Sequence, residues 1–460
     1  MTNVENKKND RREIFGWLMY DWANSAFYTT VISVLLGPYL TSLAQAHVGD
    51  NGVVMDFAGF GSITAKSLFN FAITVSVFLQ IILLPLLGAA ADYSNLKKRL
   101  MAFFCYLGVA ASCLLFFIEG EAYLLGSVLL IVANLSFGAA NVFYNAYLVD
   151  ITTEDNRDRI SSYGFAMGYF AGILMLILNI LFVQNAESFG LSTGFAVRLS
   201  ILAASLWWGG FAVVTFMLLR THQAVKPMPE NKSLIRIGFG EVLQTFRELI
   251  KLKRTAQFLL GHFCYNNGIQ TVINSASVFL AQELFVSRGE EASQAFLLGI
   301  FAVAQISALV GAIVFERLAR LIGTKNSLLL SIFVWVCIVV YAYALLDTVF
   351  QAWILSVFIG LVLGSSQALS RSLFSQMIPI GRESSFFGLY EISERGTTLL
   401  GSLIFGIVVG ATGSYRQAIL SLIILLIAGF LLLFFTDIKR AIHEAGQHTP
   451  EEAAALETNA

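Results

Sequence analysis

Twelve apolar runs of about 20 residues make up most of this chain, and that is the length a helix needs to cross a bilayer. They fall roughly at 14–42, 68–91, 99–118, 122–149, 160–184 and 197–219, then at 255–284, 294–316, 325–346, 350–375, 385–411 and 415–436. A backbone in hydrocarbon finds no water to bond, so each run is predicted to close its own hydrogen bonds as an α-helix. Over 460 residues the chain is 57% hydrophobic and 13% charged, with mean hydropathy +0.73, which leaves too little polar surface for a soluble globule. The prediction is an all-α, multi-pass integral membrane protein.

Orientation follows from the basic residues. Lys97, Lys98 and Arg99, then Arg157 and Arg159, then Arg317, Arg320 and Lys325, then Lys439 and Arg440 crowd alternate connections, whereas the opposite ones hold little beyond Lys66, Arg288 and Arg416. By the positive-inside rule both termini are expected in the cytoplasm. The start of the chain, with Lys7, Lys8, Arg11 and Arg12, precedes an apolar run too long and too aromatic for a cleaved signal peptide. A bacterial inner membrane is expected in preference to an organelle membrane.

A single long polar connection, 220–254, divides the spans six and six. The predicted organisation is a cytoplasmic segment 1–13, a six-helix bundle 14–219, the linker 220–254, a second bundle 255–436 and a cytoplasmic tail 437–460. The linker carries Pro227 and Pro229, and Phe239, Val242, Leu243, Phe246, Leu249 and Ile250 have the spacing of an amphipathic helix, with Arg247, Lys251 and Lys253 opposite. It is read either as a helix on the inner membrane surface or as a plain connector. The halves echo each other: Ser161-Ser162-Tyr163-Gly164 against Ser384-Ser385-Phe386-Phe387-Gly388, and Tyr20-Asp21 against Tyr265-Asn266. Duplicated halves bind substrate at their interface in many transporters.

After the second span, Gly88, Asp92, Lys97, Lys98 and Arg99 form a Gly-x-x-x-Asp turn with a basic cluster, and Ala312, Glu316, Arg317, Arg320 and Lys325 form a degenerate copy after the eighth. This loop resembles the signature of the major facilitator superfamily, which implies two pseudo-symmetric six-helix bundles. The resemblance further implies that the loop carboxylate latches the halves in one state, accepting hydrogen bonds from a helix amino terminus. The plainer reading is positive-inside topology with a helix-breaking loop.

The run Tyr20-Asp21-Trp22-Ala23-Asn24-Ser25-Ala26-Phe27 joins Tyr265-Asn266-Asn267-Gly268 and Ser366-Gln367-Ala368-Leu369-Ser370-Arg371-Ser372 in pointing to one branch of that superfamily. Together they resemble the branch named after the fungal vacuolar amino-acid effluxers, over nearly the whole chain. The resemblance implies secondary transport by alternating access, with an amino acid or similar zwitterion as cargo. Where the branch has Asn-Asp-Gly in its seventh helix, this chain has Asn267, so a carboxyl is missing from that position.

Polar side chains inside the spans are the candidate site, because burying them in a membrane helix is costly. Asp21, Asn24, Ser25 and Tyr28 share one face of the first span, with Asp21 about 10 Å inside its cytoplasmic end. Asp21 is read as a substrate or titrating group, or as a structural partner of Arg371. Asn24, Ser25, Tyr28, Asn141, Asn145, Asn266, Asn267 and Gln270 are the expected cavity lining. Asp21, Arg371, Glu391, Glu394 and Arg395 are the expected coupling or gating groups. Glu391 and Arg395 stand in ion-pair order on one helix face, which leaves Glu394 without a local partner and makes it the candidate proton carrier. His262 is read as a packing residue, and Cys105, Cys113, Cys264 and Cys337 likewise.

Several classes are excluded by sequence. A net charge of −1 without a basic groove gives no reason to expect a nucleic-acid partner. No phosphate-cradling loop, zinc-protease pair or nucleophile elbow is present, so neither enzyme, cofactor nor metal site is expected. The expected partners are a small-molecule substrate, membrane lipid and, as coupling ion, protons. The competing readings are an exporter of amphipathic compounds and a non-transporting membrane sensor or scaffold.

Overall fold

The computed structural model describes residues 8–49, 52–57, 61–92, 95–222, 234–290, 294–395, 397–449 and 452. Residues 1–7 of the amino-terminal segment, 223–233 of the linker with Pro227 and Pro229, and 450, 451 and 453–460 of the tail lie outside them, as does the side chain of Phe239.

Among the described residues, twelve helices are long and apolar enough to span a membrane. In the first half they are Arg11–Val48, Leu68–Ala91, Lys97–Phe117, Tyr123–Ile151, Glu154–Gln184 and Thr193–Leu218. In the second they are Lys253–Arg288, Phe296–Ile322, Thr324–Ala344, Val349–Gln376, Glu383–Thr412 and Tyr415–Phe434. Each half has its own core. Trp17, Tyr20, Phe143 and Trp208 are buried together in the first, and Phe258, Trp335, Phe374 and Tyr390 in the second. Such aromatics bury large areas and fix the helix spacing within a bundle.

Apart from short 3-10 turns at helix ends, two features among the described residues depart from plain α-helix. The first span widens to a π-helix over Phe27–Leu35 before returning to α-helix over Leu36–Val48. A short hairpin follows it, Val53–Phe57 paired antiparallel with Gly61–Thr64, in a chain that is otherwise helical among the described residues. Val53 and Val54 favour extended backbone, and the hairpin tucks Ile63 against Ala44, Leu68 and Tyr123.

The halves meet tightly at the end that carries both chain termini, where the basic connections also lie. Asp92 sits at the amino terminus of the eleventh span, accepting from the backbone N–H of Ser384 at 2.8 Å and of Ser385 at 2.9 Å. Gly88 makes this contact feasible: a Cβ there would lie 2.2 Å from the Ser384 carbonyl oxygen. The other loop residues act differently from the expected latch. Lys97 pairs with Asp150 at 2.8 Å and Lys98 donates to the Leu219 carbonyl at 2.5 Å, because the third span begins at Lys97 and its first turn faces the ends of the fourth and sixth. Both therefore brace the first half internally, and Arg99 is exposed.

In the degenerate copy, buried Glu316 accepts from Arg320 on its own helix and Arg317 is exposed. The crossing on that side is made instead by Asp158 of the fifth span, which accepts from Ser372 and Thr324.

Candidate functional site

A cavity of about 1360 Å³ separates the halves and is closed at the basic end. Its upper wall includes Phe69 and Asn70 at the start of the second span and Leu297 near the start of the eighth, so it reaches the opposite end. Asp21, Asn24, Ser25 and Tyr28 all line it, as their helical spacing requires. Asn141, Asn145 and Gln270 line it too, as do Arg371, Glu391, Glu394 and Arg395.

The floor is a charged network that crosses between halves. Tyr144 donates to Asp21 Oδ2 at 2.6 Å, and Arg371 Nη2 approaches the same oxygen at 3.7 Å. Arg371 donates from Nε to Ser161 Oγ at 3.0 Å, from Nη2 to the Ser161 carbonyl at 2.8 Å and from Nη1 to Asn145 Oδ1 at 3.2 Å. Its guanidinium lies between the rings of Trp17, at 4.9 Å, and Phe165, at 4.2 Å. Asn145 passes the network on by donating to Glu391 Oε1 at 2.8 Å, and Glu391 Oε2 accepts from Arg395 Nε at 2.9 Å. The expected Glu391–Arg395 pair is therefore formed.

Arg371 and Arg395 differ in what they have left to give. All three nitrogens of Arg371 are engaged by protein. Arg395 spends Nε on Glu391 and lies 5.0 Å over Phe137, and among the described residues nothing accepts from its terminal nitrogens.

The structure corrects three readings. Glu394 has partners from two spans: Tyr390 donates to Oε1 at 3.1 Å, Asn266 to Oε2 at 3.1 Å, and His262 Nε2 lies 3.4 Å from Oε1. His262, read as a packing residue, therefore also faces this carboxylate. It is buried, stacked on Tyr390 at 4.5 Å, with Nδ1 held by Ser393 Oγ at 2.7 Å. Thirdly, Asn266 and Asn267 do not line the cavity. Asn266 is occupied with Glu394, and Asn267 is fully buried, donating to the Phe263 carbonyl at 2.9 Å and accepting from the Gly401 N–H at 3.2 Å.

Sequence reading also missed Tyr144, Phe165, Tyr169 and Tyr390, all on the cavity wall. A signal existed for His262: it lies four residues before Asn266 and so faces the same neighbour. Three carboxylates, two guanidiniums and one imidazole are paired at the floor.

The family model described as vacuole effluxer Atg22-like matches residues 9–446. An uncharacterized MFS-type transporter, YxiO, from Bacillus subtilis (strain 168) is 31% identical over 421 residues, covering 91% of this chain and 93% of that one. Autophagy-related protein 22 of Yarrowia lipolytica is 29% identical over 482 residues, covering 86% and 78%. Among solved structures, the human organic anion transporter MFSD10 aligns with a TM-score of 0.71 at 13% identity, covering 93% of this chain and 100% of that one. The proton:xylose symporter XylE aligns with a TM-score of 0.68 at 13% identity, covering 96% and 98%.

Proposed function

Because the chain belongs to the Atg22-like vacuole effluxer family of the major facilitator superfamily, we propose that this membrane transporter carries an amino acid or a similar small zwitterion by alternating access. The observation that carries the reading is the unequal use of the two arginines on the cavity floor. Arg371 is consumed by the floor, whereas Arg395 keeps its planar fork of donors for a ligand carboxylate. Asp21, whose bonds with Tyr144 and Arg371 both fall on Oδ2, is the matching counter-charge for an ammonium group.

Alternation requires the floor to part. Asp21 and Asn145 belong to the first half, Arg371 and Glu391 to the second, so a cargo that meets both charges stands in for the partners these groups surrender as the halves rock. His262 and Glu394 are the proposed proton site, set beside the cargo and built on the seventh and eleventh spans. The crowding of basic residues at the closed end supports cytoplasmic termini, with the cavity facing outward. The match to a Bacillus subtilis protein along nearly its whole length supports a bacterial inner membrane.

A thermal-shift screen of amino acids and dipeptides on purified protein, followed by flux in proteoliposomes for each hit, tests this reading. Arg395→Gln is expected to weaken binding of a hit at least tenfold, about 1.4 kcal/mol, and undiminished binding would overturn the assignment. One observation favours a second reading: 1360 Å³ exceeds the usual pocket range of about 300–1,000 Å³, and Phe69, Phe137 and Phe301 line it. Stabilisation by amphipathic compounds and by no amino acid would select that reading.

A further inference from the structure

The linker folds as a helix, Leu234–Lys251, joined to the seventh-span helix Lys253–Leu284 through Leu252 alone. It packs along the second span. Its inner face grips the connection between the tenth and eleventh spans: Arg382, itself buried, donates from Nε to Glu248 at 2.8 Å and pairs through Nη1 with Glu241 at 2.5 Å. Two residues further on, the Ser384 N–H sits on Asp92. One helix thus touches the second span of the first half and the eleventh-span entrance of the second half.

Its outer face is chemically distinct. Leu243, Phe246 and Ile250 stand on one stripe and are 55%, 52% and 58% exposed, while Thr245 and Leu249 point inward and are buried. Arg247, Lys251 and Lys253 are exposed beside that stripe. An apolar stripe edged by cations on a helix that leads directly into a membrane span matches a surface of anionic lipid headgroups over acyl chains, in both charge and depth.

We propose that the linker helix docks on anionic phospholipid of the leaflet at the basic end and thereby straps that end shut. When the halves part there, the helix is carried off the second span by Arg382 and by its own continuity with the seventh span. Lipid that holds the helix in its docked plane therefore binds the closed state better than the open one, which is what allows it to shift the equilibrium. The inference is independent of what the cargo is.

The test is hydrogen exchange on the full-length protein in nanodiscs of phosphatidylcholine alone and of phosphatidylcholine with about one-third phosphatidylglycerol. Anionic discs are expected to raise protection of 243–251 and 383–391 roughly tenfold, an effect that fades with added salt. Replacing Arg247, Lys251 and Lys253 together by Gln is expected to abolish the lipid dependence without changing the thermal unfolding midpoint in neutral discs. Leu243→Ser combined with Phe246→Ser and Ile250→Ser is expected to do the same through the apolar stripe. Equal protection in both discs, or lipid dependence that survives the charge substitutions, would overturn the docking. Protection confined to the helix, with 383–391 unmoved, would overturn the strap.

Discussion

Arg371 and Arg395 show how far one residue type can diverge in role within one cavity. Arg371 is held by two faces of aromatic carbon and by directional bonds to Ser161 and Asn145, so even Lys, a point charge with no fork, cannot replace it. Arg371→Gln leaves Asp21 buried without its cation and is expected to destabilise the protein by about 3–5 kcal/mol, read as a lowered unfolding midpoint in detergent. Arg395→Gln takes the cation from buried Glu391 and is expected to lower the midpoint as well, and what sets it apart from Arg371→Gln is a loss of cargo affinity. At the same scale, His262→Gln and Glu394→Gln are each expected to uncouple flux from an imposed pH gradient in proteoliposomes. Retention of pH-driven accumulation in both variants would remove the proton role from this pair.

The face carrying Asp21, Asn24, Ser25 and Tyr28 was legible in the sequence because one helix repeat fixes it. The partners of Glu394 on the seventh span, His262 and Asn266, were not, since no local period reveals which helices adjoin. Asn267 fails for a related reason: an amide bonded to the backbone of the eleventh span and one open to a cavity look alike in sequence.

At the scale of elements, the second and eleventh spans are drawn together by a glycine and a carboxylate. Gly88→Ala places a methyl group 2.2 Å from the Ser384 carbonyl oxygen, so the two helices must separate. The expected outcome is a bias toward the state open at the basic end, measured as faster proteolysis of the connections there and at least a tenfold fall in transport. The amino-acid pattern announced this loop, and Asp92 accepts from the first amides of the eleventh span. It did not disclose that Lys97 and Lys98 brace their own half, because a basic cluster at a helix start reads the same whichever carboxylate or carbonyl it meets.

For the whole molecule, a cavity sealed at the basic end by Asp92, Asp158 and the floor network predicts one-sided access. Asn274→Cys, on the cavity wall, is expected to react with an impermeant thiol reagent added from the side opposite the termini, with cargo slowing the reaction. Ser366→Cys, at a position buried between helices, is expected to stay unmodified from either side. The count of spans and their limits to within several residues could be read from hydropathy, because the bilayer imposes one length on every crossing. The π-helical widening of the first span and the hairpin behind it could not, because neither alters that length.

The contact of Asp92 with the eleventh span also has an unequal mutational vulnerability. Its acceptor depends on one side chain, but its donors are chiefly main-chain amides, which any residue at 384 supplies. Ser384 is itself fully buried, so it can exchange for other small residues with the donor kept, whereas proline removes the donor. Proline is tolerated in the first turn of a helix, so Ser384→Pro would leave the eleventh span standing while deleting one donor. Natural drift at this gate should accordingly be one-sided, permissive where the amides lie and strict where the carboxylate reaches for them.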